Sequence, residues 1–309
     1  MKNELIQSFI EKHQLDDRFS LIALNWFIPL AELICANQSG EKKPFFIGLN
    51  GCQGSGKSTL TDFLQFYCQQ VHDLNSAVMS LDDFYLSQDE RSLLAKTVHP
   101  LLKTRGVPGT HDTKLMANAL SALKNLSRPL VLPRFNKATD NPFPSSQWSD
   151  VSDKVDIVIV EGWCWGTPAQ SELELVSAIN ELESQEDPDH KWRTYVNHTL
   201  IKDYQPLYEE MDFWIMLKAP SFDCVADWRK QQEHKLRANA SANGSEDSQN
   251  EIMSDIQVER FIKHYQRLTE YSFHTIGKTA DLIFNLDTHR NIVSIEGSYA
   301  DSFNTKGAM

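Results

Sequence analysis

The sequence predicts a doubly wound α/β fold, in which helices cover both faces of a mostly parallel sheet. The prediction rests on short, largely apolar runs that alternate with helical segments. Such continuous apolar runs are typical of strands that are buried on both faces. The predicted strands span residues 44–49, 77–81, 155–160, 213–217 and 280–286.

The helical segments divide the chain into an N-terminal extension and a main domain. Amphipathic periodicity predicts helices over residues 4–12 and 21–36, so residues 1–40 form a helical extension before a domain at 41–309. A helical lid is predicted at about residues 221–255. Its helix is indicated by a basic helical pattern at 223–237, and its mobile loop by the polar tract at 237–250. Ser254 and Gln257 form a capping-box pattern that opens a helix over residues 255–271.

The amino-acid composition disfavours some classes of binding partner. The net charge of −12 disfavours nucleic acid and anionic membranes as large-surface partners, because both would repel the molecule. The apolar stretch at 21–34 is interrupted by Asn25, Pro29 and Glu32, and five cysteines without a CxxC pair indicate neither disulfides nor zinc. We therefore expect a cytoplasmic protein with a small-molecule partner. The sequence does not indicate its oligomeric state.

A glycine-rich motif directly after the first predicted strand matches the Walker A pattern GxxxxGK[ST]. Its glycines let backbone N–H groups face phosphate oxygens, while Lys57 neutralises phosphate charge and Ser58 ligates Mg²⁺. The strand before it and the amphipathic helix after it are the context that this motif requires. The predicted nucleotide-binding residues are Gly51, Cys52, Gln53, Gly54, Ser55, Gly56, Lys57, Ser58 and Thr59. A lowered pKa of Cys52, beside the helix N-terminus, is a further hypothesis, and an inert small side chain explains the position equally well.

Carboxylates follow two other predicted strands. Asp82 and Asp83 come after the strand at 77–81, and Glu161 ends the run at 155–160. Ligands of open α/β sheets bind at the carboxyl ends of strands, and phosphoryl transfer requires carboxylates for an acceptor hydroxyl and for Mg²⁺. Asp82 and Asp83 can divide these roles, and Glu161 is placed as a Walker B acid.

These motifs, with others along the chain, resemble those of the plant-type D-glycerate 3-kinases and their bacterial kinase-like relatives. The resemblance covers about residues 44–290 and includes Ser80-Leu-Asp-Asp-Phe-Tyr85, Arg105-Gly-Val-Pro-Gly-Thr-His-Asp112, Leu132-Pro-Arg-Phe135 and Trp228-Arg229. Phe135-Asn136 departs from the aromatic-Asp pair that is usual there. The wider group comprises uridine, pantothenate and phosphoribulose kinases, in which the carboxylate after the second strand is the catalytic base. Asp82 matches that position.

The resemblance implies a P-loop kinase fold that uses ATP and Mg²⁺, with D-glycerate as the expected acceptor. Asp82, Lys57 and the lid residue Arg229 are the predicted catalytic groups, and Ser58, Glu161 and Asp83 the predicted metal ligands. Cations that can bind a carboxylate lie in the acceptor region, about residues 84–150. The predicted acceptor-binding residues are Arg105, His111, Asp112, Arg134 and Lys137. A nucleoside, pantothenate-like or sugar-phosphate acceptor, or a non-catalytic ATP-dependent switch, is the alternative.

Overall fold

The computed structural model describes residues 2–38, 43–151, 154–242 and 253–304. A six-stranded sheet lies at its centre, and its strands are β1 (Phe45–Gly51), β2 (Ser76–Ser80), β3 (Ile157–Gly162), β4 (Phe213–Lys218), β5 (Leu282–Leu286) and β6 (Ile292–Glu296). The strands lie in the order β6-β5-β4-β1-β3-β2. Neighbouring strands pair in parallel except β6, which runs antiparallel to β5.

The doubly wound α/β prediction is confirmed, and each of the five predicted runs overlaps one strand of the sheet. Alternate residues of one strand enter different cores because side chains of a strand point to opposite faces. Ile157 and Ile159 belong to one buried cluster, whereas Val158 and Val160 belong to the other. The edge strand β6 was not predicted, since its partly exposed residues form no continuous apolar run.

Helices cover both faces of the sheet. Short 3₁₀ turns lie at Leu81–Phe84, Pro100–Lys103 and Ser145–Gln147, and π-helical turns lie within α2 at Ala23–Phe27 and between α8 and α9 at Leu200–Tyr204. The helices are α1 (Lys2–His13), α2 (Phe19–Gln38), α3 (Lys57–His72), α4 (Gln88–Thr97), α5 (Thr113–Lys124), α6 (Glu172–Val176), α7 (Glu181–Glu186), α8 (Lys191–Thr199), α9 (Gln205–Tyr208), α10 (Phe222–Ala242), α11 (Asp255–Thr279) and α12 (Asp301–Asn304).

The N-terminal helices pack on α3, the helix that follows the phosphate-binding motif. Phe9, Phe19 and Phe27 surround Phe63 of α3, with ring centroids 5.1 to 5.8 Å from it. Burying each such ring contributes about 1.5–3 kcal/mol. By length and composition α2 could also span a bilayer, but here its buried residues join the same cluster as Phe9 and Phe63. The N-terminal extension thus packs against α3 and stabilises its position.

The acceptor region contains two small antiparallel ladders that the sequence did not predict. Val131–Leu132 pairs with Ser149–Asp150, and Phe135–Asn136 pairs with Asn141–Pro142. These two-residue strands are too short to produce a periodic pattern. They hold Arg134 and Lys137 above the carboxyl end of β2, as the contacts of these side chains with Asp83 and Asp82 show.

The lid helix differs from its prediction at the carboxyl end. α10 continues to Ala242, so the start of the polar tract at 237–250 is helical rather than a loop, as its alanines favour. The remainder of that tract, and the side chains of Lys235 and Arg237, fall outside the described residues. The capping box of Ser254 and Gln257 is present, and α11 extends past residue 271 to Thr279.

Two aromatic side chains fix the backbone at Arg105 and Gly106. The Tyr265 hydroxyl donates to the Arg105 carbonyl at 2.9 Å, and the Trp163 indole donates to the Gly106 carbonyl at 2.9 Å. Gly106 has φ +136°, and a Cβ there would overlap the ring and hydroxyl of Tyr265. The turn therefore requires glycine for both conformation and space.

We predict that Gly106→Ala lowers the free energy of unfolding by at least about 2 kcal/mol, because it adds backbone strain and a clash. Urea denaturation followed by circular dichroism measures the change. Gly277→Ala is the matched control, since it lies in α11 with its nearest contact 3.6 Å away. It should be neutral or stabilise by up to about 1 kcal/mol. Equal stabilities of the two variants would contradict the proposed constraint at Gly106.

Candidate active site

The phosphate-binding loop connects the end of β1 to α3. Gly54 and Gly56 have positive φ values of +78° and +96°, and a Cβ at Gly51 would come within 2.7 Å of the Ser55 hydroxyl. Side chains at these positions would therefore distort the loop. The first amides of a helix have no partner within the helix, so the start of α3 at Lys57 supplies N–H donors for an anion.

Polar side-chain atoms of the loop are consistent with a phosphate ligand. The Ser55 hydroxyl and the Gln53 side-chain carbonyl are buried without a hydrogen-bond partner among the described residues. The Lys57 ammonium lies 3.4 Å from the Cys52 carbonyl and 3.8 Å from Glu161 Oε2. A buried unpaired polar atom is unfavourable, so the Ser55 hydroxyl fits a phosphate oxygen that accepts its hydrogen bond, whereas the Gln53 carbonyl is itself only an acceptor.

Glu161 is the penultimate residue of β3, the strand between β1 and β2. The register opposes Ser80 to Glu161, and the Ser80 hydroxyl donates to Glu161 Oε1 at 2.5 Å. Burial raises the pKa of Glu161; nearby Lys57 opposes that change and Asp82 adds to it. The parallel register thus brings the Walker B carboxylate beside the phosphate-loop lysine.

Asp82 lies in the 3₁₀ turn that follows β2. Its Oδ2 accepts from Lys137 Nζ at 2.5 Å, and its Oδ1 accepts from the Tyr85 hydroxyl at 2.8 Å. Burial alone would raise the pKa of Asp82, but Lys137, the Tyr85 hydrogen bond and Lys57 together lower it to about 2. Asp82 is therefore ionised at neutral pH and can accept a hydrogen bond from a hydroxyl.

Asp83 is paired with the acceptor region. Its Oδ2 accepts from Arg134 Nη1 at 2.9 Å, and its Oδ1 accepts from the Phe135 amide at 3.2 Å. Burial raises the pKa of Asp83, and Arg134 opposes that change. Asp83 therefore also ties the segment at 133–136 to the end of β2.

A cleft of about 540 Å³ brings most of the predicted residues together. It joins the phosphate loop to the acceptor region and to the lid helix. Of the predicted residues, its walls include Gln53, Gly54, Lys57, Ser58, Asp82, Asp83, Arg105, Arg134, Lys137, Glu161 and Arg229. Lys57, Asp82 and Glu161 lie together in this cleft, as expected if nucleotide and acceptor meet there.

His111 and Asp112 do not line the cleft. The His111 ring stacks on Tyr85 at 4.6 Å, its Nδ1 lies 2.6 Å from the Tyr204 hydroxyl, and burial lowers its pKa to about 3. Asp112 caps α5 by accepting from the Leu115 amide at 2.9 Å. In this structure both side chains therefore pack within the loop next to the cleft and do not line it.

Arg229 lies on α10 and reaches the cleft. It pairs with Glu233 one turn later, and its guanidinium lies 5.7 Å from the centre of the Phe261 ring. Sequence reasoning missed Phe261, Tyr265 and Tyr85, which also line the cleft. Of these, Tyr85 could have been found, since it belongs to the motif that contains Asp82.

The hypothesis of a lowered Cys52 pKa is wrong. Burial raises the pKa of the Cys52 thiol to about 12, although Lys57 opposes the change. Loss of hydration raises the pKa of the thiol by more than the backbone dipoles of the loop lower it, because only 2% of the residue is exposed. A buried thiol with a raised pKa favours the alternative interpretation, in which Cys52 is a small packing side chain of the loop.

The charged groups also bear on metal binding. Within the described ranges no group of three or more His, Cys, Asp or Glu side chains is arranged to hold a metal ion. Mg²⁺ in kinases is held by one or two protein carboxylates together with substrate phosphates and water, so it does not require such a cluster. Ser58, Asp83 and Glu161 in one cleft fit that donor set.

Comparisons with known proteins agree with this geometry. No family model matches the chain. The uncharacterized kinase mug58 of Schizosaccharomyces pombe is 34% identical over 245 residues, which is 76% of this chain and 82% of that protein. The chloroplastic D-glycerate 3-kinase of Arabidopsis thaliana is 30% identical over 262 residues, 80% of this chain but 54% of that protein's length.

A solved structure extends the likeness to three dimensions. The D-glycerate 3-kinase of Cryptococcus neoformans var. grubii superposes with a TM-score of 0.70 at 28% identity, covering 86% of this chain and 96% of that chain. The likeness therefore includes both the sequence and the arrangement of sheet and helices. The chain belongs to the family of P-loop small-molecule kinases that includes the D-glycerate 3-kinases and their kinase-like relatives.

Proposed function

We propose that this kinase transfers the γ-phosphoryl group of ATP to the 3-hydroxyl of D-glycerate, giving 3-phosphoglycerate. One observation carries the proposal: Asp82 lies in one cleft between the phosphate loop and the basic side chains of the acceptor region. Relatives named D-glycerate 3-kinase support this acceptor, since glycerate presents a hydroxyl and a carboxylate.

Each part of the cleft has a distinct task in this reaction. The amides at the start of α3 and the Lys57 ammonium bind the phosphates and neutralise their charge. Asp82 orients the acceptor hydroxyl, whose oxygen forms a bond to the γ-phosphorus as the bond to the ADP oxygen breaks. With a pKa of about 2, Asp82 is a weak base, so its main contribution is orientation, and its carboxylate receives the hydroxyl proton late, as the new P–O bond forms.

The remaining predicted groups complete the charge arrangement. Ser58 and the carboxylates of Glu161 and Asp83 would hold Mg²⁺, which supplies charge neutralisation at the β- and γ-phosphates when bound. Arg229 on the lid helix would cover the migrating phosphoryl group. Exclusion of water by the lid would favour transfer to the acceptor over hydrolysis.

An acceptor screen tests this function. The purified protein is incubated with ATP, Mg²⁺ and one acceptor, and ADP formation is followed by a coupled assay. Turnover should be highest with D-glycerate and low with L-glycerate, glycerol, uridine and pantothenate. Mass spectrometry should then detect 3-phosphoglycerate. A clear preference for a nucleoside or for pantothenate would overturn the glycerate assignment, and acceptor-independent ADP formation would indicate a nucleotide-dependent switch.

We predict that Lys57→Ala lowers kcat by at least about 100-fold, because it removes the charge that neutralises the phosphates. The fold should persist, since Lys57 is part of a ligand site. Steady-state kinetics and thermal unfolding measure the two effects. Lys96→Ala, an exposed change on α4, is the control and should retain full activity. Near-normal turnover of Lys57→Ala would refute the phosphate-site assignment.

We further predict that Asp82→Asn lowers kcat by a factor on the order of 10² to 10⁴ while ATP affinity barely changes. An amide cannot orient the acceptor hydroxyl as a carboxylate acceptor does. Kinetics and calorimetric titration with a non-hydrolysable ATP analogue separate the two effects, and Asp89→Asn on the exposed face of α4 is the control. A parallel loss of ATP binding would instead assign Asp82 to the metal site and shift the orienting role to Asp83.

A further inference from the structure

Charge pairing in the cleft is uneven. Four cations that line it are each paired with one carboxylate: Lys57 with Glu161, Lys137 with Asp82, Arg134 with Asp83 and Arg229 with Glu233. Formally, the charges of each of these pairs cancel. A fifth cation, Arg105, is different because it shares its carboxylate with a second arginine.

The carboxylate that Arg105 shares belongs to Asp140. Arg105 Nη1 donates to Asp140 Oδ1, and Arg91 Nη2 donates to Asp140 Oδ2 at 2.7 Å. Arg91 is only 2% exposed, and it also donates to the carbonyls of Leu86 and Lys103 at 3.1 and 2.9 Å. This group of two guanidinium cations and one carboxylate has a net charge of +1. Its cleft-facing member is Arg105.

We propose that Arg105 binds the carboxylate of the acceptor and that the pair of Arg91 and Asp140 positions it. This inference rests on the proposed glycerate kinase function. A guanidinium has five donors and can bind a second carboxylate with those that Asp140 does not use. The excess charge gives an anionic acceptor a reason to bind here in preference to Arg134, whose charge Asp83 balances.

Arg105 is also held in place before the acceptor arrives. Its backbone carbonyl accepts from Tyr265, and its guanidinium lies 5.7 Å from the centre of the Phe135 ring. A side chain that is already ordered loses less conformational entropy on binding. Arg105 is 28% exposed, so an acceptor carboxylate can reach it.

A chain of contacts through Phe135 and Tyr85 connects Arg105 to Asp82. The Phe135 ring meets the edge of Tyr85 at 5.3 Å, and the Tyr85 hydroxyl donates to Asp82. Two aromatic rings therefore separate the carboxylate that orients the hydroxyl from the arginine that binds the other end of the acceptor. D-glycerate has its 3-hydroxyl and its carboxylate at opposite ends of a three-carbon chain, so the two groups require separate contact points in the cleft.

Kinetics of arginine variants test the assignment. Arg105→Leu should raise KM for D-glycerate by about 30-fold or more, through loss of a charge-assisted contact, with KM for ATP nearly unchanged. Arg105→Lys should restore part of the affinity, because an ammonium supplies charge without the planar fork. The low activity on glycerol, which has no carboxylate, should not fall. Arg260→Leu, an exposed change on α11, is the matched control.

The positioning role has its own measurement. Asp140→Asn should raise KM for D-glycerate by about 10-fold with little change in kcat, and Asp140→Glu should recover part of it. Thermal unfolding shows whether each variant folds, because Asp140→Asn also leaves Arg91 without a counter-charge. If Asp140→Asn does not fold, the kinetics of Asp140→Glu decide the positioning role, and an unchanged KM for D-glycerate in that variant would contradict it.

The outcomes separate this inference from the function on which it rests. An active wild type with an unchanged KM in Arg105→Leu, or a larger rise in Arg134→Leu than in Arg105→Leu, would overturn the assignment of Arg105 while the glycerate function stands. A wild type inactive on D-glycerate but active on an uncharged acceptor would overturn both. An equal loss of glycerol and D-glycerate activity in Arg105→Leu would indicate a general structural effect and would also contradict the assignment.

Discussion

The parallel pairing of β3 between β1 and β2 is the constraint on which the site depends. Carboxyl ends of parallel strands meet at one edge of a sheet, so three segments far apart in the chain deliver their functional groups to one place. Because Ser80 lies opposite Glu161 in the register of β2 and β3, Glu161 lies next to the turn that contains Asp82. On the other side of β3, β1 leads into the phosphate loop. A slip of one residue would move Glu161 to the other face of the sheet.

Ion pairing allows the cleft to contain many charged side chains in a small volume. Burial disfavours each isolated carboxylate, and a cation of another segment compensates most of them. Asp82 and Asp83 show that neighbouring residues respond differently: Lys137, Tyr85 and Lys57 lower the pKa of Asp82, whereas burial prevails at Asp83 despite Arg134. The same pairs connect the acceptor region to the end of β2, so any anionic ligand that binds these cations must displace a carboxylate or bind beside it.

The phosphate loop, the strands and the principal acids were predictable because each has a local signature. Glycine spacing sets the loop conformation, apolar runs mark buried strands, and a carboxylate directly after a strand lies at the ligand-binding edge. The edge strand β6 and the two-residue ladders near Arg134 lack such signatures. His111 and Asp112 share a family-like motif with Arg105, yet the motif does not distinguish a residue that faces the cleft from one that stacks behind Tyr85 or caps α5.

The sequence by itself determined the fold class, the phosphate loop and the family, since these depend on spacing within short segments. Tertiary structure alone decided the partners of the charged groups. Lys137 meets Asp82 across 55 positions, Asp140 joins Arg91 and Arg105 across 49 and 35, and burial reversed the expected pKa shift of Cys52. Pairing and hydration depend on which side chains the fold brings together, and residue order along the chain does not contain those distances.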